Sequence, residues 1–260
     1  SEMCIRDRLS FVIDQGDDTA IASGPFDSHS VTVSSDSLGT LVFSGEGGSS
    51  AQSAIDTTAA GDLWDNGSGF YATGSSPLAA EAGNNSMLYT LPSLMDDLSL
   101  QASYSPGSAG GQSATAIGMT FTGVEGLSAS YAVTDIETGT ATTSGDQTAW
   151  KLSYAYGPVT VAASSTEMDK SATDSSTDQD TTSMAITYTV SDELSVTYGQ
   201  EEIGNGKAGE IDAEYSKISA SYTAGGMTIS ATVAEGDNTH HSTATQEDLE
   251  YWALGASFAF

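Results

Sequence analysis

Histidine, cysteine and paired carboxylates are the side chains most apt to do chemistry, and this chain keeps the first two scarce and the last scattered. Its three histidines are His29, His240 and His241, and its single cysteine is Cys4. His240 and His241 lie in a polar stretch with Asp237, Glu247 and Asp248 close in sequence. Imidazoles and carboxylates together can ligate a divalent metal, but adjacent histidines in a polar loop are ordinarily just solvated. The acid-rich segment from Asp169 to Asp180 lacks the glycine and terminal glutamate spacing of an EF-hand loop. No Gly-x-Ser-x-Gly elbow occurs, and serine is too common here for any one to mark a nucleophile. The chain therefore reads as a non-enzyme, with no catalytic residues and no metal site. Weak association of Ca2+ or Mg2+ with the acidic loops is the one cofactor expectation.

The elements that would position any site are β-strands. In 260 residues, 35 Asp and Glu face only 6 Lys and Arg, for a formal charge of −29. That balance argues against nucleic acid and anionic membrane surfaces as partners. No apolar run approaches the roughly 18 residues of a transmembrane helix. The mean hydropathy of −0.17 excludes a helical membrane protein but not a barrel, whose lumen-facing residues are polar.

The last residues set the pattern. Trp252, Leu254, Ala256, Phe258 and Phe260 alternate with small residues, a period of two that specifies a strand. An exposed apolar edge invites aggregation, a difficulty that a barrel closed in lipid removes. The same strand could also end a soluble sandwich. Upstream, alternating segments recur as hairpins around tight turns near residues 38, 96, 125, 158, 192 and 225. Longer acidic Ser/Thr/Gly loops separate the hairpins. Turn spacings of 29 to 34 residues leave room for two membrane-spanning strands per repeat, and one gap of 58 stands out. Short turns at one end and long loops at the other favour an outer-membrane barrel over a sandwich. Lys151 and Lys217 take the inward parity, where lumen water tolerates charge; solvation of the wall is an equally simple role. Tyrosines at strand ends, such as Tyr104, Tyr131 and Tyr222, fit interfacial girdles.

From Leu9 to Phe260 the chain resembles the Gram-negative general porins. Three features carry the resemblance: the terminal strand ending at Phe260, the hairpin from Val31 to Phe43, and the strand from Asn85 to Ser93. The oversized gap falls where that family inserts its inward-folding constriction loop, here about residues 45–86. The resemblance implies an all-β, transmembrane antiparallel barrel with about fourteen of the family's sixteen strands, so the chain is expected to be N-terminally truncated. Residues 1–8 are expected to form a non-homologous or disordered tail, and residues 9–260 the barrel.

It further implies an outer-membrane channel for passive diffusion of small hydrophilic solutes and ions. Glu46, Asp56, Asp62, Asp65 and Glu81 would line the constriction, with Asp62 and Asp65 at its narrowest point. Lys151 and Lys217 would be the basic residues of the wall. Uncompensated carboxylates favour cations, so cation selectivity is expected. Outer-membrane lipid, a homotrimer and the barrel-assembly machinery, reading Trp252, Leu254, Ala256, Phe258 and Phe260, are the implied partners. The contrasting expectation is a secreted or cell-surface β-rich adhesin or binding module.

Overall fold

Alternation of apolar with small or polar residues becomes fourteen antiparallel strands in one sheet, each paired with its neighbours in chain order. The computed structural model describes residues 5–13, 26–65, 85–106, 113–141, 144–171, 178–205, 211–239, 241 and 248–259. The strands are β1 (Ile5–Ile13), β2 (Phe26–Ser35), β3 (Gly39–Glu46), β4 (Ser86–Thr90), β5 (Leu98–Pro106), β6 (Ser113–Phe121) and β7 (Leu127–Glu137). They continue as β8 (Gly145–Tyr156), β9 (Val159–Lys170), β10 (Gln179–Thr189), β11 (Leu194–Asn205), β12 (Ala213–Ala224), β13 (Met227–Asp237) and β14 (Leu249–Phe258). Each tight turn expected from the sequence joins two of them. At the β12–β13 turn both Gly225 and Gly226 have positive φ, the conformation that matches a two-residue turn to strand twist.

The sheet is not closed: β1 and β14 are its edges, and no ladder joins them among the described residues. The first strand also begins earlier than the boundary expected at Leu9. Ile5 to Arg8 pair with Thr32 to Ser35, because ladder hydrogen bonds use backbone groups and do not require alternating side chains.

The two faces invert the arrangement of a water-soluble sandwich. On β8, Gln147 is 1 % exposed and Ala149 is buried, while Trp150, Leu152 and Tyr154 are exposed. On β14, Trp252 is 75 % exposed. Such a continuous apolar exterior is unfavourable in water and favourable against acyl chains. Among the described residues the interior carries mostly small and hydroxyl side chains, with three small buried clusters in place of one core.

At the loop end of the later strands the outward row turns acidic. Asp135, Asp146 and Asp169 stand opposite one another across β7, β8 and β9. Glu202, Glu214 and Asp237 do the same across β11, β12 and β13. All six are exposed. Like charges directly opposite repel, so backbone pairing and apolar contacts must hold the sheet against this collar. The outward positions of β3 to β6 carry no charge; they include Phe43, Met87, Tyr104 and Ile117.

Candidate functional site

The described part of the connection from β3 to β4, residues 47–65, folds back along the inner wall, and its polar backbone is met by side chains of successive strands. It leaves β3 at Gly47, whose positive φ turns the chain, and returns where the Asn85 N–H donates to the Gly45 carbonyl at 3.2 Å. The Ala51 N–H donates to Ser103 Oγ on β5 at 2.9 Å. Thr134 on β7 donates to the Gln52 side-chain carbonyl at 2.6 Å. The Ala59 and Ala60 N–H groups reach Ser164 Oγ on β9 and Ser183 Oγ on β10, at 2.8 and 2.9 Å. Buried peptide groups need such partners, and a wall rich in hydroxyls supplies them.

Apolar contacts seat the same segment. A 3-10 turn at Ser53–Ile55 presses Ile55 against Ala132 and Ala149. A second 3-10 turn, Leu63–Asp65, buries Leu63 among Ile203, Ala213, Tyr215 and Ala234, with Trp64 packed alongside. The wall is thinned to receive the loop. A Cβ on Gly118 would lie 1.9 Å from the Ala51 carbonyl oxygen, and one on Gly199 would lie 2.8 Å from Ala60 Cβ.

Of the five acids expected at the constriction, two are brought together on this segment. Asp62 is a structural hinge as well as a charge. It has a φ of 53°, accepts from the Thr58 N–H at 2.9 Å, and its own N–H donates to Thr58 Oγ1 at 2.8 Å. Asp56 is exposed on the loop and has no such tie. Crowding by loop and wall, and secondarily the neighbouring Asp62 carboxylate, push its pKa above the ordinary aspartate value. Glu46 lies at the start of the loop, beside Ser44 and Ser49 around a small hollow. The Asp65 side chain and Glu81 lie outside the described residues.

The two basic wall residues are both on the inner face. Lys151 does not stand free there: its Nζ donates to the Thr57 carbonyl at 2.8 Å, which ties it to the loop next to Asp56. Lys217 sits between Gly199 and Ala234 in the ladder register. Along β14, Trp252, Leu254 and Phe258 expose the outward row together with Ala256; Phe260 lies outside the described residues. His241, expected to be solvated, is instead buried, and its Nδ1–H donates to the Ile211 carbonyl at 3.1 Å. His240 lies outside the described residues. Among the described residues no three His, Cys, Asp or Glu side chains are grouped to hold a metal ion.

Several residues of the site carry no obvious sequence signature. Glu201, fully buried on β11, accepts from the loop through both carboxylate oxygens, and Ser103, Ser164 and Ser183 fasten it elsewhere. The available signal was glycine: Gly118 and Gly199 interrupt otherwise regular strands, and a mid-strand glycine often marks close approach of another backbone.

The Gram-negative porin profile matches residues 8–241. The chain belongs to the Gram-negative porin family. This porin is an outer-membrane protein with a β-barrel channel fold. No curated protein sequence matches it. Among solved structures, OmpT expressed in the outer membrane of Vibrio cholerae superposes with a TM-score of 0.58 at 18% identity, over 90% of this chain and 80% of that one. An engineered variant of the Rh. blastica porin gives 0.59 at 17% identity, over 98% and 85%. In-vitro folded OmpT of V. cholerae in its trimer form gives 0.57 at 17%, over 91% and 82%. At these identities the likeness is one of fold.

Proposed function

We propose that this porin passes small hydrophilic solutes and ions by passive diffusion, without covalent chemistry, and that it favours cations. The observation that carries the reading is the acidic loop fastened along the inner wall, with Asp56 exposed and Asp62 beside it. Lys151, one of the two expected wall cations, donates to a loop carbonyl and keeps its single positive charge, against two acids, Asp56 and Asp62, on the segment it holds. Fixed carboxylates in a narrow aqueous passage raise local cation concentration and repel anions. The adhesin reading is disfavoured by the apolar exterior, which requires lipid or detergent. The outward acids attract divalent cations diffusely, as any dense carboxylate surface does.

The test is direct. Detergent-purified protein in a planar bilayer should give discrete conductance steps and a cation-selective reversal potential in a KCl gradient. An anion-selective potential would reverse the selectivity assignment, and failure to form steps would remove the channel.

A homotrimer is part of the same proposal, with the outside of β3 to β6 as the face that meets a second copy. Two features favour that face. It lacks the acidic collar, which would set like charges of two copies against each other. Its strand β4 has only 5 residues, fewer than the 9–11 or so a strand needs to cross a bilayer. Irregular backbone at membrane depth is tolerated where protein covers it. Ile117→Glu, on the outward row of β6, should convert an unboiled trimer band to monomer on a gel. An unchanged oligomer would relocate the interface, and a wild-type protein migrating as a monomer would dispose of the trimer.

A further inference from the structure

Among the described residues, Glu201 is the one carboxylate of the inner wall that the loop closes over completely. It is 0 % exposed. Oε1 accepts from the Thr58 hydroxyl and, at 3.2 Å, from Ser183 Oγ, and Oε2 accepts from the Leu63 N–H at 2.6 Å. Those partners are neutral donors, and two of the three belong to the loop. An acid with no face to the lumen cannot contact a passing ion. It can hold what does.

The Thr58 hydroxyl that donates to Glu201 also accepts from the Asp62 N–H, and the Asp62 carboxylate accepts from the Thr58 N–H. Fastening Thr58 therefore fixes the turn that presents Asp62. Leu63, at the other arm of the Glu201 carboxylate, is the apolar plug of the cluster with Ile203, Ala213, Tyr215 and Ala234. Gly199, two residues before Glu201 on the same face, leaves the space that Ala60 occupies. Hydrogen bonds to a charged acceptor are shorter and stronger than those to the serine hydroxyls along the rest of the loop. Glu201 holds the loop through both carboxylate oxygens, where each of Ser103, Ser164 and Ser183 offers a single hydroxyl.

We infer that Glu201 is a positioning residue for the constriction: it clamps Thr58 and Leu63, sets the aperture, and contributes no selectivity charge of its own. This rests on the channel reading above. A glutamine there keeps the shape and can turn its oxygen to the Leu63 N–H and its NH2 to the Thr58 and Ser183 hydroxyls, but only through neutral and therefore weaker hydrogen bonds.

The experiment compares single-channel conductance, open-channel noise and reversal potential for the wild type, Glu201→Gln and Thr58→Val. Thr58→Val leaves the carboxylate in place and removes its Thr58 clamp together with the acceptor of the Asp62 N–H. Both variants are expected to raise conductance or open-channel noise by about twofold or more, as a loosened constriction should. If Glu201→Gln folds poorly, as heat-modifiable gel migration would show, Thr58→Val alone carries the test. A Glu201→Gln effect confined to reversal potential, or a Thr58→Val channel with wild-type conductance and noise, would overturn the assignment. Wild-type protein that forms no channel would instead sink the channel reading, so the two failures are distinguishable.

Discussion

The double substitution Asp56→Asn and Asp62→Asn should cut the cation-to-anion permeability ratio about fivefold or more, read as reversal potential in a KCl gradient. Two unit charges about 4 Å apart interact by about 1 kcal/mol in bulk water and about 4 kcal/mol at an effective dielectric of 20. A factor of ten corresponds to about 1.4 kcal/mol, so even the aqueous limit predicts a several-fold change. Asparagine at position 62 retains an oxygen that can accept the Thr58 N–H, so charge changes while the turn is kept. Conductance should therefore move far less than selectivity. A ratio unchanged by the double substitution would show that these carboxylates do not face the ion path.

The pH dependence follows from Asp56. Partial desolvation by the neighbouring loop and wall, with the Asp62 carboxylate second, raises its pKa, so it gains a proton at a higher pH than an ordinary aspartate. Its share of cation preference is present above that raised pKa and is lost as pH falls through it. Wild-type selectivity should begin to decline at a higher pH on acidification than that of Asp56→Asn. Coincident pH profiles would contradict this order.

Gly118→Val should dislodge the first half of the loop. Its Cβ would meet the Ala51 carbonyl oxygen at 1.9 Å and the Ala51 carbonyl carbon at 2.9 Å. Those are backbone atoms, and Ala51 cannot retreat without pulling its N–H from Ser103 Oγ. Overpacking of this kind costs about 1–3 kcal/mol, and here the loop yields more readily than the ladder. The expected results are a higher single-channel conductance and a lower temperature for loss of the folded gel band. Met119→Leu, its outward-facing neighbour, should change neither. Wild-type conductance in Gly118→Val would mean that the loop does not rest on β6.

The strands were legible from the sequence because a two-residue period is a local property. Trp150, Leu152 and Tyr154 declare an apolar row without reference to any other segment, and Gly157-Pro158 ends it with a turn whose positive φ falls on the glycine. The long connection between β3 and β4 was legible for the same reason, as an interval too large for its neighbours. Where it runs was not. Its path depends on hydroxyls at Ser103, Ser164 and Ser183, which are separated by tens of residues and indistinguishable in sequence from the many other serines. The resemblance offered Asp56 and Asp62 as two of five loop charges, with Asp62 and Asp65 at the narrowest point, but only the folded turn made Asp62 a hinge and raised the pKa of Asp56. Lys151 read as a free base of the wall; the loop carbonyl of Thr57, 94 residues away, engaged it. Glu201 carried no mark beyond an inward parity. Its role arises from long-range closure, because burial and hydrogen-bond partners are properties of what a side chain meets, and a period of two records only which way it points.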